Sequence, residues 1–231
     1  MRESHISTKF GEELEALRNE VMLMGGQVER QLKDAVRIFI AGDELLHQQL
    51  HRVERKVNER EKKIDSVCIK VIARRQPAAG DLRMVYCVLK IVHDLERIGD
   101  EACKIAAHGE KMRAAGPVEG SMFVDIRALS SRVSDHLREA LDAFSREDFK
   151  PAYEAALGDR ETDTELQAIE HRLLAALPAA GDQSIGLVCQ FVVIRSLERV
   201  LQHARNIAEY VIFLANGEDV RHSYRAGDNK G

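Results

Sequence analysis

Apolar residues recur along this chain at three- and four-residue steps, the period of helices buried along one side. From Lys9 to about Ile40 the stripe runs Leu14, Leu17, Val21, Met24, Val28, Leu32, Ala35, Val36 and Phe39. Gly25-Gly26 interrupts it and predicts a bend or a close helix contact. Ala41-Gly42-Asp43 ends this first helix, and Asp43 is placed to cap a second, from about Glu44 to Arg74. Leu46, Leu50, Val53, Val57, Ile64, Val67, Val71 and Ile72 mark the buried side of that one. Gln76-Pro77-Ala78-Ala79-Gly80-Asp81 reads as a turn, with Pro77 as breaker and Asp81 as N-cap of a third helix, about Leu82 to Arg113. At about 45 Å each, three such helices joined by tight turns make an up-down-up bundle.

After Ala114-Ala115-Gly116-Pro117 the pattern begins again. Val133, Leu137, Ala140 and Phe144 fall against Val28, Leu32, Ala35 and Phe39. A fifth helix is expected from about Phe149 to Leu177. Pro178-Ala179-Ala180-Gly181-Asp182 then repeats Pro77-Ala78-Ala79-Gly80-Asp81 letter for letter. In the last helix, about Gln183 to Asn216, Leu197-Glu198-Arg199-Val200 matches Leu95-Glu96-Arg97-Ile98. Ala204, Ile207 and Ala208 continue the match to Ala102, Ile105 and Ala106. The expected fold class is all-α: two tandem three-helix bundles related by an internal repeat, six long helices in all. The expected division is 1–115, 116–222 and a disordered polar tail, 223–231.

Composition agrees with a helical protein and narrows its function. The 231 residues are 45% apolar and 31% charged, with four prolines and no Trp, which argues against an all-β fold. A net charge of −4 does not favour nucleic-acid binding. Cys68, Cys87, Cys103 and Cys189 are scattered and form no CxxC pair, which suits small buried residues in a reducing cytosol. The N-terminus shows no apolar signal segment, and runs such as Tyr210 to Ala215 are far too short to span a bilayer. The expected location is the cytoplasm, with any membrane contact made through a partner.

The candidate chemistry lies in the middle of the third helix. Glu96 and Asp100 stand four apart, so both carboxylates lie on one face, at a cost of about 0.2–0.5 kcal/mol to the helix. Gly99 between them costs about 1 kcal/mol against Ala. A cation held between the carboxylates, with Gly99 permitting close approach, would explain both costs. Arg97 and Glu101, also four apart, offer the alternative of a solvated salt-bridge face. The repeat favours the cation. Glu54 and Asn58 occupy neighbouring turns of the second helix, and their counterparts on the fifth are Asp159 and Asp163. Carboxylates with an amide suit hard or borderline cations. The second copy departs from the first: Gln202 stands for Asp100 and Leu201 for Gly99, beside Glu198. A competent site is therefore expected in the first half and a weakened or absent one in the second.

Weaker candidates remain. His47 and His51 are four apart, a spacing that can hold a transition metal, yet surface histidines explain them as well. His203 beside Gln202 is a possible substitute ligand. Arg74, Arg75 and Arg83 form a basic cluster at one end of the first bundle. No Gly-rich phosphate loop, nucleophile–base pair or dinucleotide fingerprint appears, and nothing points to an enzyme.

Several motifs together resemble the PhoU family. They are Ala73 through Arg83, Leu95-Glu96-Arg97-Ile98-Gly99-Asp100, Arg195 through Arg199, and Asn206 through Glu209. Leu17 through Gly26 and Gly217 through His222 fit it too, so the likeness spans about His5 to His222. The resemblance implies two three-helix bundles related by pseudo-symmetry, a homodimer, and metal clusters on paired acidic motifs. Glu96 and Asp100 match that motif intact, whereas Glu198 with Gln202 matches it in part. The implied metals are divalent or iron ions: Fe, Mn, Mg or Zn. The implied role is negative regulation of the phosphate-starvation response. In that role the protein links the phosphate ABC transporter, through its ATPase subunit PstB, to the sensor histidine kinase PhoR, and restrains uptake. The competing class is a metal-storage or carboxylate-bridged metal protein, which typically uses Glu-x-x-His pairs inside the core.

Overall fold

The structure is a computed structural model describing residues 2–116, 121–157, 160–217 and 219–220, with side chains described from Lys9 onward and not for 121–125. Every described element is helical. They are α1 (Arg2–Ala41), α2 (Glu44–Arg75), α3 (Ala79–Ala114), α4 (Ser121–Arg146), α5 (Phe149–Leu157), α6 (Arg160–Ala176) and α7 (Ser184–Asn216), with single 3-10 turns at Leu177–Ala179 and Gly181–Gln183. The fifth expected helix corresponds to α5 and α6 together, and the two residues between them lie outside the described residues, as does the expected tail.

Helix ends follow local chemistry. Asp43 caps α2 by accepting from the Leu46 amide at 3.0 Å. Gly217, in the left-handed region at φ 75°, closes α7 by donating its N–H to the Phe213 carbonyl. Asp81 is not the N-cap expected for α3. The cap is Ala78, which makes no side-chain bond, and Asp81 sits inside the first turn. There its carboxylate still complements the positive end of the helix dipole. Gln76 closes α2, and Ala79, in the left-handed region at φ 46°, and Gly80 form the start of α3 ahead of Asp81.

Gly25 resolves the choice between a bend and a close contact. α1 runs unbroken through both glycines. A Cβ on Gly25 would come within 2.7 Å of the Leu141 side chain of α4, so the missing side chain is the seat of a helix crossing.

The two repeats do not form separate cores. Equivalent helices pack on each other, α3 on α7 and α1 on α4, the former being the largest contact in the molecule. A single apolar cluster runs through both, from Leu17 to Leu214. All five residues of the Ile91, Leu95, Ile98, Ala102, Ile105 stripe are fully buried. Polar ties cross the α3–α7 boundary. The buried Asp94 meets His203 Nδ1 at 2.6 Å and accepts from Asn206 at 3.3 Å. The buried Glu101 accepts from Lys104 at 2.8 Å and faces Arg199 at 3.3 Å. No described helix is long and apolar enough to cross a membrane.

Candidate metal face along the first repeat

Along the seam between α2 and α3, Glu54 meets Gly99 and Cys103, while Glu96 meets Glu61 and His93; among the described residues Glu54, Glu96 and Asp100 do not form one ligand cluster. Glu54 and Asn58 lie one turn apart on α2, and Gly99 and Cys103 of α3 approach Glu54. A Cβ placed on Gly99 would stand 3.3 Å from Glu54 Oε2 and 3.2 Å from Gln31 Oε1, both tighter than ordinary contact. A side chain at Gly99 would press the ends of Gln31 and Glu54 aside by a few tenths of an ångström. Gln31, buried on α1, donates to Glu54 Oε2, to the Gly99 carbonyl at 3.3 Å and to Cys103 Sγ at 3.5 Å. Cys103 donates its S–H to Glu54 at 3.3 Å. Burial, with Glu54 alongside, pushes that thiol up to about 12, so it is a neutral donor.

Two oxygens at this seam are left over. Gln31 Oε1 and Asn58 Oδ1 are buried acceptors with no donor, an arrangement that costs roughly 1–3 kcal/mol each unless something answers them. Nearby negative charge is also poorly compensated. Burial, then the neighbouring Asp100 and Glu61 carboxylates, hold Glu96 above its ordinary value of 4.5. Arg97 approaches Glu96 at 3.6 Å and Asp100 at 3.5 Å, but half of its side chain is in solvent. Arg97 thus does not pair with Glu101, which turns inward instead. Carboxylates, orphan amide oxygens and a gap at glycine fit a hard or borderline cation.

The face is longer than the spacing of Glu96 and Asp100 suggested. Glu61, His93 and Glu96 place one ligand atom each within 4.8 Å of one another. Asp65, one turn on from Glu61, is raised above its ordinary range by burial. The signal was present: Glu54, Asn58, Glu61 and Asp65 step by four, three and four, which keeps them on one helix face. Gln31 had no such signal, because it reaches the seam from another helix.

The second repeat is built differently. Asp159 lies outside the described residues. Asp163 accepts from Arg205 Nη2 at 2.7 Å, and Arg205 stands in the repeat where Cys103 stands in the first. Glu198 pairs with Arg195 at 2.5 Å, and Arg195 occupies the place of His93. Gln202 donates to Asn206 at 3.0 Å, and Leu201 is buried where Gly99 was. His203 is engaged by Asp94 through Nδ1 and ties the two repeats together.

Of the remaining candidates, His47 and Arg75 have structural partners, whereas Arg83 Nε is buried without one among the described residues. His47 Nδ1 lies 2.5 Å from Glu110, joining the start of α2 to the end of α3, with Glu44 close by. Glu44 and His47 are a Glu-x-x-His step, so that motif does occur in the chain. It sits at the bundle's end rather than among the carboxylates of the seam. Arg75 of the basic cluster forks onto Glu13 at 3.0 and 2.6 Å, which ties α2 to α1.

Comparison with known proteins agrees with the repeat. The sequence profile of the PhoU domain matches twice, over residues 21–108 and 126–211. The chain is 41% identical over 221 residues to the phosphate-specific transport system accessory protein PhoU homolog of Pseudomonas aeruginosa, covering 94% of this chain and 90% of that one. It is 34% identical to the phosphate-specific transport system accessory protein PhoU of Escherichia coli strain K12, covering 94% and 90%. The crystal structure of PhoU from Pseudomonas aeruginosa superposes with a TM-score of 0.86 at 39% identity, over 90% of this chain and all of that one. A Streptococcus pneumoniae phosphate transport regulatory protein PhoU shares the fold at TM-score 0.80 and 22% identity, over 90% of this chain and 98% of that one. With both repeats matched and relatives spanning nearly its whole length, the chain belongs to the PhoU family.

Proposed function

We propose that this chain is a regulatory accessory of phosphate transport and a negative regulator of the phosphate-starvation response. The observation that carries the reading is the family match across both repeats, with relatives named for the phosphate-specific transport system. In this reading the protein works in the cytoplasm as a homodimer. It docks on the transporter's ATPase subunit PstB and on the sensor kinase PhoR, and it restrains uptake when phosphate is plentiful. It acts by contact, with no chemical step of its own.

The α2–α3 seam is the regulatory face in this account. Glu54, Asn58, Glu96 and Asp100 hold divalent or iron ions there, with Glu61 and His93 extending the donor set. A bound cation would neutralise clustered carboxylates and lock α2 against α3. The orphan oxygens of Gln31 and Asn58 support this assignment. Asp163, Glu198 and Gln202 of the second repeat do not form an equivalent site in this account, because arginines already answer the acids.

The test is alkaline phosphatase activity in phosphate-replete cells lacking the gene. Deletion should raise activity and the wild-type gene should silence it, while Glu96→Ala/Asp100→Ala, stably folded, should fail to silence. Low activity in the deletion strain would remove the regulatory reading and favour a plain metal protein.

A further inference from the structure

The repeats also differ where α1 meets α4, and the difference leaves a cavity. These helices are equivalent, Val28 to Phe39 matching Val133 to Phe144, so their mutual contact presents each interaction twice. In one copy Arg138 donates to Glu29 Oε1, at 3.2 Å from Nε and 2.6 Å from Nη2. Its twin would join Lys33 to Ser134, because those residues stand opposite Arg138 and Glu29 in the repeat. The carboxylate is absent from the twin. Lys33 folds back along α1 onto the same Glu29 oxygen at 2.7 Å. One carboxylate therefore answers two cations.

Packing differs in the same sense. Leu141 fills the space left by Gly25, whereas the twin positions hold the shorter Val36 and a serine, Ser130. What remains is a cavity of about 460 Å³ between α1 and α4. Lys33, Arg37 and Arg127 reach its wall together with Ser131, and no carboxylate of the described residues lines it. Val36 and Ile40 form an apolar floor. Arg37 lies 4.0 Å from Asp43, beyond hydrogen-bond reach. Arg127 has no ion-pair partner among the described residues. Ser130 and Ser134 spend their hydroxyl protons on α4 carbonyls at 2.9 and 2.8 Å, which leaves Arg37, Arg127 and Ser131 to face an occupant, with Lys33 on Glu29 at the rim.

We propose that this cavity binds a small phosphorylated metabolite, its phosphate held by Lys33, Arg37 and Arg127 and its apolar portion resting on Val36 and Ile40. Guanidinium groups match phosphate oxygens in pairs. The volume falls in the range of small-molecule sites, about 300–1,000 Å³. A bare oxyanion would leave the apolar floor uncovered. The site is separate from the α2–α3 seam, so it stands or falls independently of the metal face.

The experiment is calorimetric titration of the full chain with adenosine monophosphate, inorganic phosphate and sulfate at physiological salt. Saturable binding of the nucleotide is expected, weakened at least about tenfold in Arg37→Gln/Arg127→Gln. Arg37 is 68% exposed and Arg127 is exposed, so the variant should melt as the wild type does. Glu96→Ala/Asp100→Ala should bind the nucleotide unchanged. Four outcomes overturn the proposal: no saturable nucleotide binding, binding unchanged in the double arginine variant, phosphate binding without nucleotide binding, or sulfate binding as tightly as the nucleotide.

Discussion

The two repeats solve the same electrostatic problem in opposite ways. Both bring acidic side chains together where the second and third helices of the bundle meet. In the first repeat Glu54 faces the neutral Gly99, Cys103 and Gln31, the oxygens of Gln31 and Asn58 are unanswered, and a half-exposed Arg97 approaches Glu96 and Asp100 from 3.6 and 3.5 Å. In the second, Arg195 and Arg205 stand in the places of His93 and Cys103 and pair with Glu198 and Asp163. Leu201 fills the gap that Gly99 leaves open, and Leu166 replaces Glu61 with a buried apolar side chain. The second-repeat guanidiniums sit at hydrogen-bond distance from their acids, whereas Arg97 reaches Glu96 and Asp100 only at 3.6 and 3.5 Å. On the proposed reading, the same scaffold carries one face neutralised by its own arginines and one left for a cation from solution.

The largest expected effect comes from making the first repeat resemble the second. Gly99→Leu forces a side chain against Gln31 and Glu54. It should cost about 1–3 kcal/mol of stability and remove metal-dependent stabilisation, read by thermal melts with and without manganese. Preserved metal stabilisation would mean that close approach at Gly99 is not needed. The reverse exchange, Leu201→Gly/Gln202→Asp/Arg205→Cys, should raise the metal bound per chain, measured by elemental analysis of dialysed protein. An unchanged content would show that more than these three positions closes the second site.

Smaller effects test the charges one at a time. Arg205→Ala should cost no more than about 1 kcal/mol, because Asp163 is 40% exposed. In the metal-free protein Glu96→Gln should be slightly stabilising, by about 1–2 °C, since it relieves a like-charge pair worth about 0.2–0.5 kcal/mol. The sign follows from linkage. Glu96 titrates above 4.5 in the native state, so the folded protein holds that proton more tightly than the unfolded chain. The metal-free fold therefore loses stability as pH rises through that range, and the glutamine removes the loss. Glu101, five residues on, behaves oppositely. Burial raises it, but the Lys104 hydrogen bond and the Lys104 and Arg199 charges bring it below 4.5 overall. Its contribution is present above the unfolded value and fades as pH falls through the native one, so Glu101→Gln should flatten the acid limb of the stability profile.

The fold was legible because helical periodicity and the repeat are both local or near-local signals. The stripe through Leu95 and Ile98 could only be a buried helix face, and the repeated pattern implied the repeated bundle. What escaped was set by tertiary context. The identical stretches at Pro77 and Pro178 fold differently: the first leads straight into α3, while the second makes two 3-10 turns before α7. Asp81 looked like a cap because of its distance from Pro77, yet the backbone began its helix sooner. At the seam, spacing pointed to Glu54, Glu96 and Asp100, and the structure brings Glu96 to Glu61 and His93. Gln31 arrives from a helix far away in sequence, where no spacing rule applies. Arg205 was visible in the repeat alignment opposite Cys103, but its role appears only once Asp163 is seen to accept from it.

The central claim is that metal binds on the first repeat and not on the second. Anomalous diffraction from crystals of the full chain soaked in manganese tests it directly. The account predicts peaks beside Glu54, Glu96 and Asp100, and none beside Asp163, Glu198 and Gln202. Equal peaks at both seams, or peaks at the second alone, would contradict it.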